Sequence, residues 1–241
     1  MRAILNYFHP LNKLKRERES YLEKHKLPDS IKSLLLAPLP NLDDDIFKLE
    51  YLSLDFETSG FEPETDSLLS IGYLPMRKQM FILSESVESF IKTPESIKAE
   101  TAIINHIVPE MLEEGLDVEV AMDDFFKAAT GKVLIVHGSI MEKRFLNHFL
   151  ATHYKLPPLP LLWVDTLQIE KSLQIYKNSS ETGDFRLSSI RERHNLPEYS
   201  AHGALVDSLS AGELYLAQMK KCFEGADSSV RYMKLDETRV L

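Results

Sequence analysis

The sequence has a single cysteine, Cys222, among its 241 residues. One thiol excludes an intrachain disulfide framework and a zinc site built from several cysteines of one chain. No apolar run comes near the roughly 18 residues that a membrane-spanning helix requires. The apolar stretch before Pro10 is too short for a signal peptide. The single cysteine fits a reducing compartment, and without a membrane span or signal peptide in the pattern we expect a cytoplasmic protein with no membrane contact.

Positive charge is also scarce. The chain has 28 Lys and Arg against 37 Asp and Glu, a net charge of −9, which argues against a protein that coats nucleic acid nonspecifically. The excess is uneven, since residues 1–30 hold seven basic and four acidic side chains, or +3, and the remainder therefore carries −12. An acidic body can still act on a polyanion if metal ions neutralise its active site.

The chain divides by pattern into three parts. Its length suits one large α/β domain or a domain with an appendage. Residues 1–45 contain two short helical patterns followed by the proline-rich linker "PLPNLDDD", and we interpret them as a helical N-terminal extension. A solvated helix face is the ordinary interpretation of the charge run in this part, and docking to a protein partner or nucleic acid is the alternative. We assign residues 46–222 to the main domain and residues 223–241 to a tail.

The main domain alternates between strand and helix patterns. "KLEYLSLDF", "SLLSIGYLPM" and "QMFILSES" predict an antiparallel meander, and the β-branched run "KVLIVHG" predicts a buried strand. Helical patterns include "SIKAETAIINHI", "DVEVAMDDFFKAAT", "SIMEKRFLNHFLATHY", "RLSSIRERHNL" and "AHGALVDSLSAGELYLAQMKK". Strands first, followed by helices around a central strand, predict an α/β fold with a mixed sheet flanked by helices.

Several acids lie at the edges of these apolar segments. Asp55 and Glu57, in "LSLDFETSG", should project from one face of a strand because side chains alternate with a period of two. Glu142 follows the predicted buried strand, Asp165 lies in "WVDT", and Asp207 lies in an otherwise apolar helix. A bare Asp-x-Glu is a weak signal that usually marks a solvated strand end. Lone buried charges are costly unless they are paired or bound to metal, so a set of acids at these edges is unusual and calls for one of these two explanations.

Three of these segments resemble the motifs of the DEDDh 3′→5′ exonucleases, the DnaQ-like superfamily of the bacterial proofreading subunit and RNase T. "LDFETSG" resembles the first motif, Asp-x-Glu-Thr-Thr-Gly, and "HGALVD" resembles the third, His-x-Ala-x-x-Asp. "KVLIVHGSIMEKRFL" resembles the second, an apolar strand followed by His-Asn-x-x-Phe-Asp-x-x-Phe-Leu. The resemblance runs in order over about residues 48–220 and implies a ribonuclease H-like fold.

The resemblance also implies roles for the motif residues. Asp55 would bridge two divalent cations, Mg²⁺ or Mn²⁺. Glu57 and Asp207 would hold the ion that carries the attacking water, Glu142 would serve the second ion, and His202 would be the general base. Glu142 departs from the pattern because the family has Asp at this position, so its carboxylate lies one methylene further from the backbone.

The resemblance further implies that the turn containing Phe56, Thr58 and Ser59 binds the terminal nucleotide, although strand alternation favours a core position for Phe56. The expected activity is metal-dependent hydrolysis at single-stranded 3′ ends, with DNA preferred and nucleoside monophosphates released. Two alternatives remain open. One is RNA 3′ trimming of the RNase T or oligoribonuclease kind. The other is a non-catalytic interaction module that keeps the fold and binds a protein partner through residues 1–45.

Overall fold

The computed structural model of the chain describes residues 6–93, 107–176, 183–200 and 202–240. At its centre is a six-stranded sheet. The strands are β1 (Glu50–Thr58), β2 (Leu68–Arg77), β3 (Met80–Phe81), β4 (Val87–Phe90), β5 (Val133–Val136) and β6 (Trp163–Asp165). The order across the sheet is β3–β2–β1–β5–β6, and β4 pairs with β2 on the same edge as β3. β2 is antiparallel to β1, whereas β5 and β6 run parallel to β1, which confirms the mixed sheet predicted from the sequence.

Helices pack on the sheet. They are α1 (Pro10–Lys24), α2 (Asp29–Leu36), α3 (Pro109–Glu113), α4 (Val118–Ala129), α5 (Ile140–Phe149), α6 (Thr166–Tyr176), α7 (Leu187–Arg193) and α8 (Ala204–Phe223). A π-helical turn, Leu150–Tyr154, extends α5, and 3₁₀ turns lie at Ile46–Lys48, Leu83–Glu85 and Val230–Tyr232. The helix predicted over residues 96–107 lies outside the described residues except for Ile107. In the described part of the chain, none of the helices has the length and apolar character needed to span a bilayer.

Strand β1 separates two hydrophobic clusters because its side chains alternate between the faces of the sheet. Leu52, Leu54 and Phe56 belong to the cluster that includes α4 and α5. Tyr51 belongs to the other cluster, where its ring packs on that of Tyr215 of α8. Asp55 and Glu57 share the parity of Tyr51, so the sheet directs them to the face that α8 covers.

Helix α8 lies unusually close to this face. The hydroxyl of Ser53 on β1 donates to the carbonyl of Ser208, with an oxygen–oxygen distance of 2.6 Å. A Cβ on Gly212 would come within 2.7 Å of the Phe81 ring. The small residues at these contacts thus allow the helix backbone to approach the strands, which brings the start of α8 to the end of β1.

The two helices of residues 1–45 pack against the rest of the chain. Pro10 occupies the first turn of α1, where its missing N–H costs nothing. Leu11 and Ile31 are fully buried. Arg18, within the charge run, is also buried and donates to the carbonyls of Pro160 and Ala37 at 2.9 and 3.1 Å. One charged side chain of this run therefore has a structural role and does not face solvent.

Candidate active site

Strand β1 places the first two acids. It is a central strand with β2 on one side and β5 on the other. Asp55 pairs in register with Gly72 of β2, and the register shifts between Glu57 and Thr58. The irregularity ends the regular pairing just after Glu57. Two carboxylates therefore project from the same face where the strand leaves the sheet, as the alternation predicted.

Gly72 makes room for the third acid. A Cβ on Gly72 would lie 2.1 Å from the carbonyl carbon of Ala204 and 2.2 Å from the amide nitrogen of Leu205. Any other residue would collide with the backbone of the first turn of α8, which carries Asp207. Because this turn rests directly on the sheet, Asp55, Glu57 and Asp207 can each present an oxygen within 4.8 Å of the others.

Glu142 approaches from the opposite neighbour of β1. It lies in the first turn of α5, directly after β5, and only 4% of the residue is exposed. Its Oε2 is buried and meets no hydrogen-bond donor in the described structure. Its charge acts on Asp55, although Glu142 is not part of the group of three whose oxygens lie within 4.8 Å.

Each of the four acids holds its proton more tightly than in water. Burial, with the charges of Glu142, Glu57 and Asp207, raises the pKa of Asp55 well above its usual value. Burial, with the charges of Asp207 and Glu88, raises the pKa of Glu57 to about 7. Burial raises the pKa of Glu142 to about 8, and burial also raises the pKa of Asp207.

These carboxylates fit a divalent cation. Carboxylate oxygens are ligands that suit Mg²⁺ and Mn²⁺. The Oε2 of Glu142 has no donor in the described structure, and burial raises the pKa of Asp55, Glu57 and Glu142 despite the charge of Lys143 near Glu142. A bound cation would offset the charges of these carboxylates, so Asp55, Glu57 and Asp207 can hold one ion, and Glu142 can contribute to a second beside Asp55.

His202 lies beside this group, on the turn before α8. Its backbone has a φ of 69°, in the left-handed region that residues other than glycine rarely adopt. The backbone N–H of His202 donates to Oδ2 of Asp207 at 3.0 Å. The imidazole is exposed. Asp207 therefore fixes the strained backbone that carries the histidine, while the ring stays accessible to water.

The expected nucleotide contacts fall in different environments. The side chain of Phe56 is buried and packs edge-on against Phe125, with ring centroids 6.2 Å apart. It faces away from the carboxylates, so a substrate contact by this side chain does not fit, and core packing explains the residue. Thr58 donates to the carbonyl of Gly60 at 2.7 Å, and the hydroxyl of Ser59 accepts from the amide of Ser67 at 2.8 Å. Both shape the loop that follows the acids.

A fifth acid, Glu88, was missed by sequence reasoning. It pairs in register with Gly72, which in turn pairs with Asp55, so the three residues share one face of the sheet. Its Oε1 accepts from the amide of Leu205 at 3.4 Å, at an end of α8 that has no side-chain cap of its own. No local motif marks Glu88, because only the pairing of β2 with β4 brings it here.

Asp165 and His137 support the turn between β5 and α5. Asp165 is buried and accepts from the backbone amides of Gly138 and Ser139 at 2.9 and 3.1 Å. His137 contacts the hydroxyl of Thr166 through Nδ1, and burial lowers its pKa, which favours the neutral ring. These residues stabilise the backbone that precedes Glu142.

Comparison with known proteins gives a consistent result. The family model described as an exonuclease, RNase_T, matches residues 52–215. The DNA polymerase III PolC-type of Thermotoga maritima is 25% identical over 182 residues, which cover 73% of this chain and 12% of that one. The DNA polymerase III subunit epsilon of Treponema pallidum is 26% identical over 165 residues, which cover 68% of this chain and 74% of that one. The chain thus spans about an eighth of the PolC-type relative that it matches.

A solved structure supports the fold. The nuclease domain of 3′hExo, a DEDDh family member bound to rAMP, superimposes with a TM-score of 0.60 at 15% identity. The match covers 81% of this chain and all of that one. The ribonuclease H-like architecture implied by the sequence motifs is therefore confirmed.

Proposed function

The chain belongs to the RNase_T family of exonucleases, and on that premise we propose that it removes nucleotides from the 3′ ends of single-stranded DNA as nucleoside monophosphates. The observation that carries the proposal is the meeting of Asp55, Glu57 and Asp207 within 4.8 Å, with buried Glu142 beside Asp55. Such a concentration of acids has no role in packing. It suits a reaction whose substrate is a phosphodiester and whose charge is offset by cations.

Asp55, Glu57, Asp207 and Glu142 would hold two divalent cations, Mg²⁺ or Mn²⁺. Bound there, the cations supply positive charge for the phosphate oxygens and promote ionisation of the attacking water. The protein's own part is to fix its carboxylates in place, which the contact of α8 with Gly72 achieves on one side and the turn before α5 on the other.

His202 would take the proton of the attacking water. Histidine is the side chain that most often serves as a general base. The Asp207 carboxylate anchors the backbone of His202, so the base and an acidic ligand move together. Because the ring is exposed, it can pass the proton to solvent after each cleavage.

The substrate end would lie over the loop after β1. Thr58 and Ser59 are the proposed nucleotide contacts in this loop, and Phe61 two residues further is 72% exposed. An exposed aromatic ring next to a nuclease site can stack on an unpaired base, and such stacking accepts any base. DNA is the proposed polymer because two of the relatives are named as parts of DNA polymerase III. A protein partner for residues 1–45 would meet the outer faces of α1 and α2, since their inner faces are packed.

The test uses 5′-labelled single-stranded DNA and RNA of the same sequence, each with Mg²⁺, Mn²⁺ or EDTA, and with Asp55→Asn as the matched inactive variant. We expect a ladder that shortens from the 3′ end, monophosphate products, and no reaction with EDTA or with Asp55→Asn. Faster loss of RNA would favour the RNA-trimming alternative. A parent protein that binds Mn²⁺ but degrades neither polymer would refute the nuclease proposal and favour the interaction module.

A further inference from the structure

A buried ion pair lies directly behind Glu142. The ammonium of Lys143 is 2.6 Å from Oδ2 of Asp236, and the two side chains are 10% and 1% exposed. The hydroxyl of Ser139 donates to the same oxygen of Asp236. Oδ1 of Asp236 accepts from the amide of Thr238. Asp236 is thus fully engaged, and two of its donors belong to the turn that carries Glu142.

The contacts of Asp236 belong to a row of hydrogen bonds between residues 235–240 and α5. Ser139, Lys143 and Asn147 are spaced by four residues and therefore share one side of α5. Residues 235–240 run along that side, because Lys143 also donates to the carbonyl of Thr238 at 3.0 Å and Asn147 donates to that of Val240 at 2.9 Å. The amide of Asp236 donates to the carbonyl of Trp163 at 2.9 Å, which ties the same residues to β6.

Glu142 depends on the helix backbone for its position. Its Oε2 meets no donor within the described structure, so no hydrogen bond to that oxygen aims the carboxylate. Where the carboxylate lies is then set by the placement and rotation of the first turn of α5. Two acids hold this turn, Asp165 through the amides of Gly138 and Ser139 and Asp236 through the side chains of Ser139 and Lys143.

We propose that Asp236 is a positioning residue for Glu142: by binding Ser139 and Lys143 it fixes the first turn of α5, so that the Glu142 carboxylate lies where it could hold a cation together with Asp55. The inference rests on the proposed function and deepens it. Asp236 lies beyond residues 52–215, the part that the family model matches, so it adds to the site a residue from outside that match. The competing explanation is that Asp236 only stabilises the fold.

The experiment measures Mn²⁺ binding without substrate, by calorimetry, together with kcat and KM on single-stranded DNA at saturating Mn²⁺ and the melting temperature. The variants are Asp236→Asn, Asp236→Glu and Ser139→Ala. Asp45→Asn is the control, because Asp45 accepts from the hydroxyl of Ser228 at 3.0 Å, holds the same end of the chain and has no contact with α5 among its described hydrogen bonds. Partners behind metal ligands typically contribute about 10–100-fold to metal affinity or activity.

We expect Asp236→Asn to weaken Mn²⁺ binding at the second site, the one to which Glu142 would contribute, and to lower kcat by about 10–100-fold with little change in KM. Asp236→Glu should recover part of the Mn²⁺ affinity and part of kcat. Asp45→Asn should lower the melting temperature and leave Mn²⁺ affinity unchanged. Normal Mn²⁺ affinity and kcat in folded Asp236→Asn would overturn the proposal.

If Asp236→Asn does not fold, Ser139→Ala decides, since it keeps the ion pair and removes one contact. A weaker second Mn²⁺ site in that variant supports positioning, and unchanged affinity overturns it. If the parent binds Mn²⁺ but releases no nucleotide, the proposed function is refuted. The Mn²⁺ affinities of the variants still test the role of Asp236 in that case.

Discussion

Replacing Glu57 by Gln should stabilise the cation-free protein at alkaline pH. The amide has nearly the shape of the carboxyl group but carries no charge. In the parent, burial raises the pKa of Glu57 from 4.5 to about 7. The folded chain therefore holds the Glu57 proton more tightly than the unfolded chain does, and deprotonation at high pH opposes folding.

The size of the effect follows from the two pKa values. A group whose pKa is raised on folding makes its full contribution to stability below pH ~4.5 and loses it as the pH rises through about 7. One pKa unit is worth ~1.4 kcal/mol, so the change from 4.5 to about 7 corresponds to about 3 kcal/mol. For a chain of this size, a loss of about 3 kcal/mol lowers the melting temperature of the parent at alkaline pH by about 6–12 °C.

The assay is urea unfolding in EDTA at several pH values between 4 and 8.5, for the parent, Glu57→Gln and Glu62→Gln. Glu62 is the control because its side chain is 63% exposed and its partner, Arg144, is also at the surface. The stability of Glu57→Gln relative to the parent should rise by about 3 kcal/mol across this range, whereas Glu62→Gln should follow the parent. Added Mn²⁺ should restore the free energy of unfolding of the parent at pH 8.5, and it should change that of Glu57→Gln very little. Parallel pH profiles for the parent and Glu57→Gln would refute the reasoning.

Three further predictions concern the rest of the site. His202→Gln should lower kcat by about 10²–10⁴-fold while calorimetry finds Mn²⁺ binding nearly unchanged, and a normal rate would exclude His202 as the base. Mn²⁺ should support faster hydrolysis than Mg²⁺, which demands a more regular octahedron, and Glu142→Asp should narrow that gap in paired rate assays; a near-normal rate for Glu142→Ala would remove Glu142 from the site. Gly72→Ala should lower stability by about 1–3 kcal/mol and slow hydrolysis, since the new methyl group displaces the first turn of α8; a parent-like urea midpoint and rate would contradict the close contact.

Much of the fold could be predicted because its main elements have periodic sequences. The alternation in β1 predicted which face carries Asp55 and Glu57, and the apolar run "KVLIVHG" predicted buried β5. The helical patterns of α4 and α8 matched to within a few residues. In each case the periodic burial of side chains acts over neighbouring residues, so the sequence itself contains the signal.

Contacts between distant segments could not be predicted in this way. Glu88 lies near Asp55 because both residues pair in register with Gly72, one from β4 and the other from β1. The pairing of β2 with β4 depends on how the whole sheet assembles, so the local sequence does not reveal it. Gly72 was a weak signal. A glycine inside a strand indicates that another backbone approaches closely, but it does not identify the element that approaches. Asp236 lies in a segment without strong periodicity, and its partners Ser139 and Lys143 are more than 90 residues away.

The strands and helices that carry the acidic residues of the site also form the hydrophobic core, so the charged carboxylates oppose the packing that stabilises these elements. The carboxylates of Asp55, Glu57, Asp207 and Glu142 destabilise the fold whenever they are charged and no cation is present, as their raised pKa values indicate. The elements that carry them must then be held by contacts that do not depend on a cation. Helix α8 is held by its small residues against the sheet, and α5 by Asp165 and Asp236. This predicts that mutations in these supports weaken cation binding before they unfold the chain, because a small shift of a ligand costs binding at once while the two hydrophobic clusters remain packed.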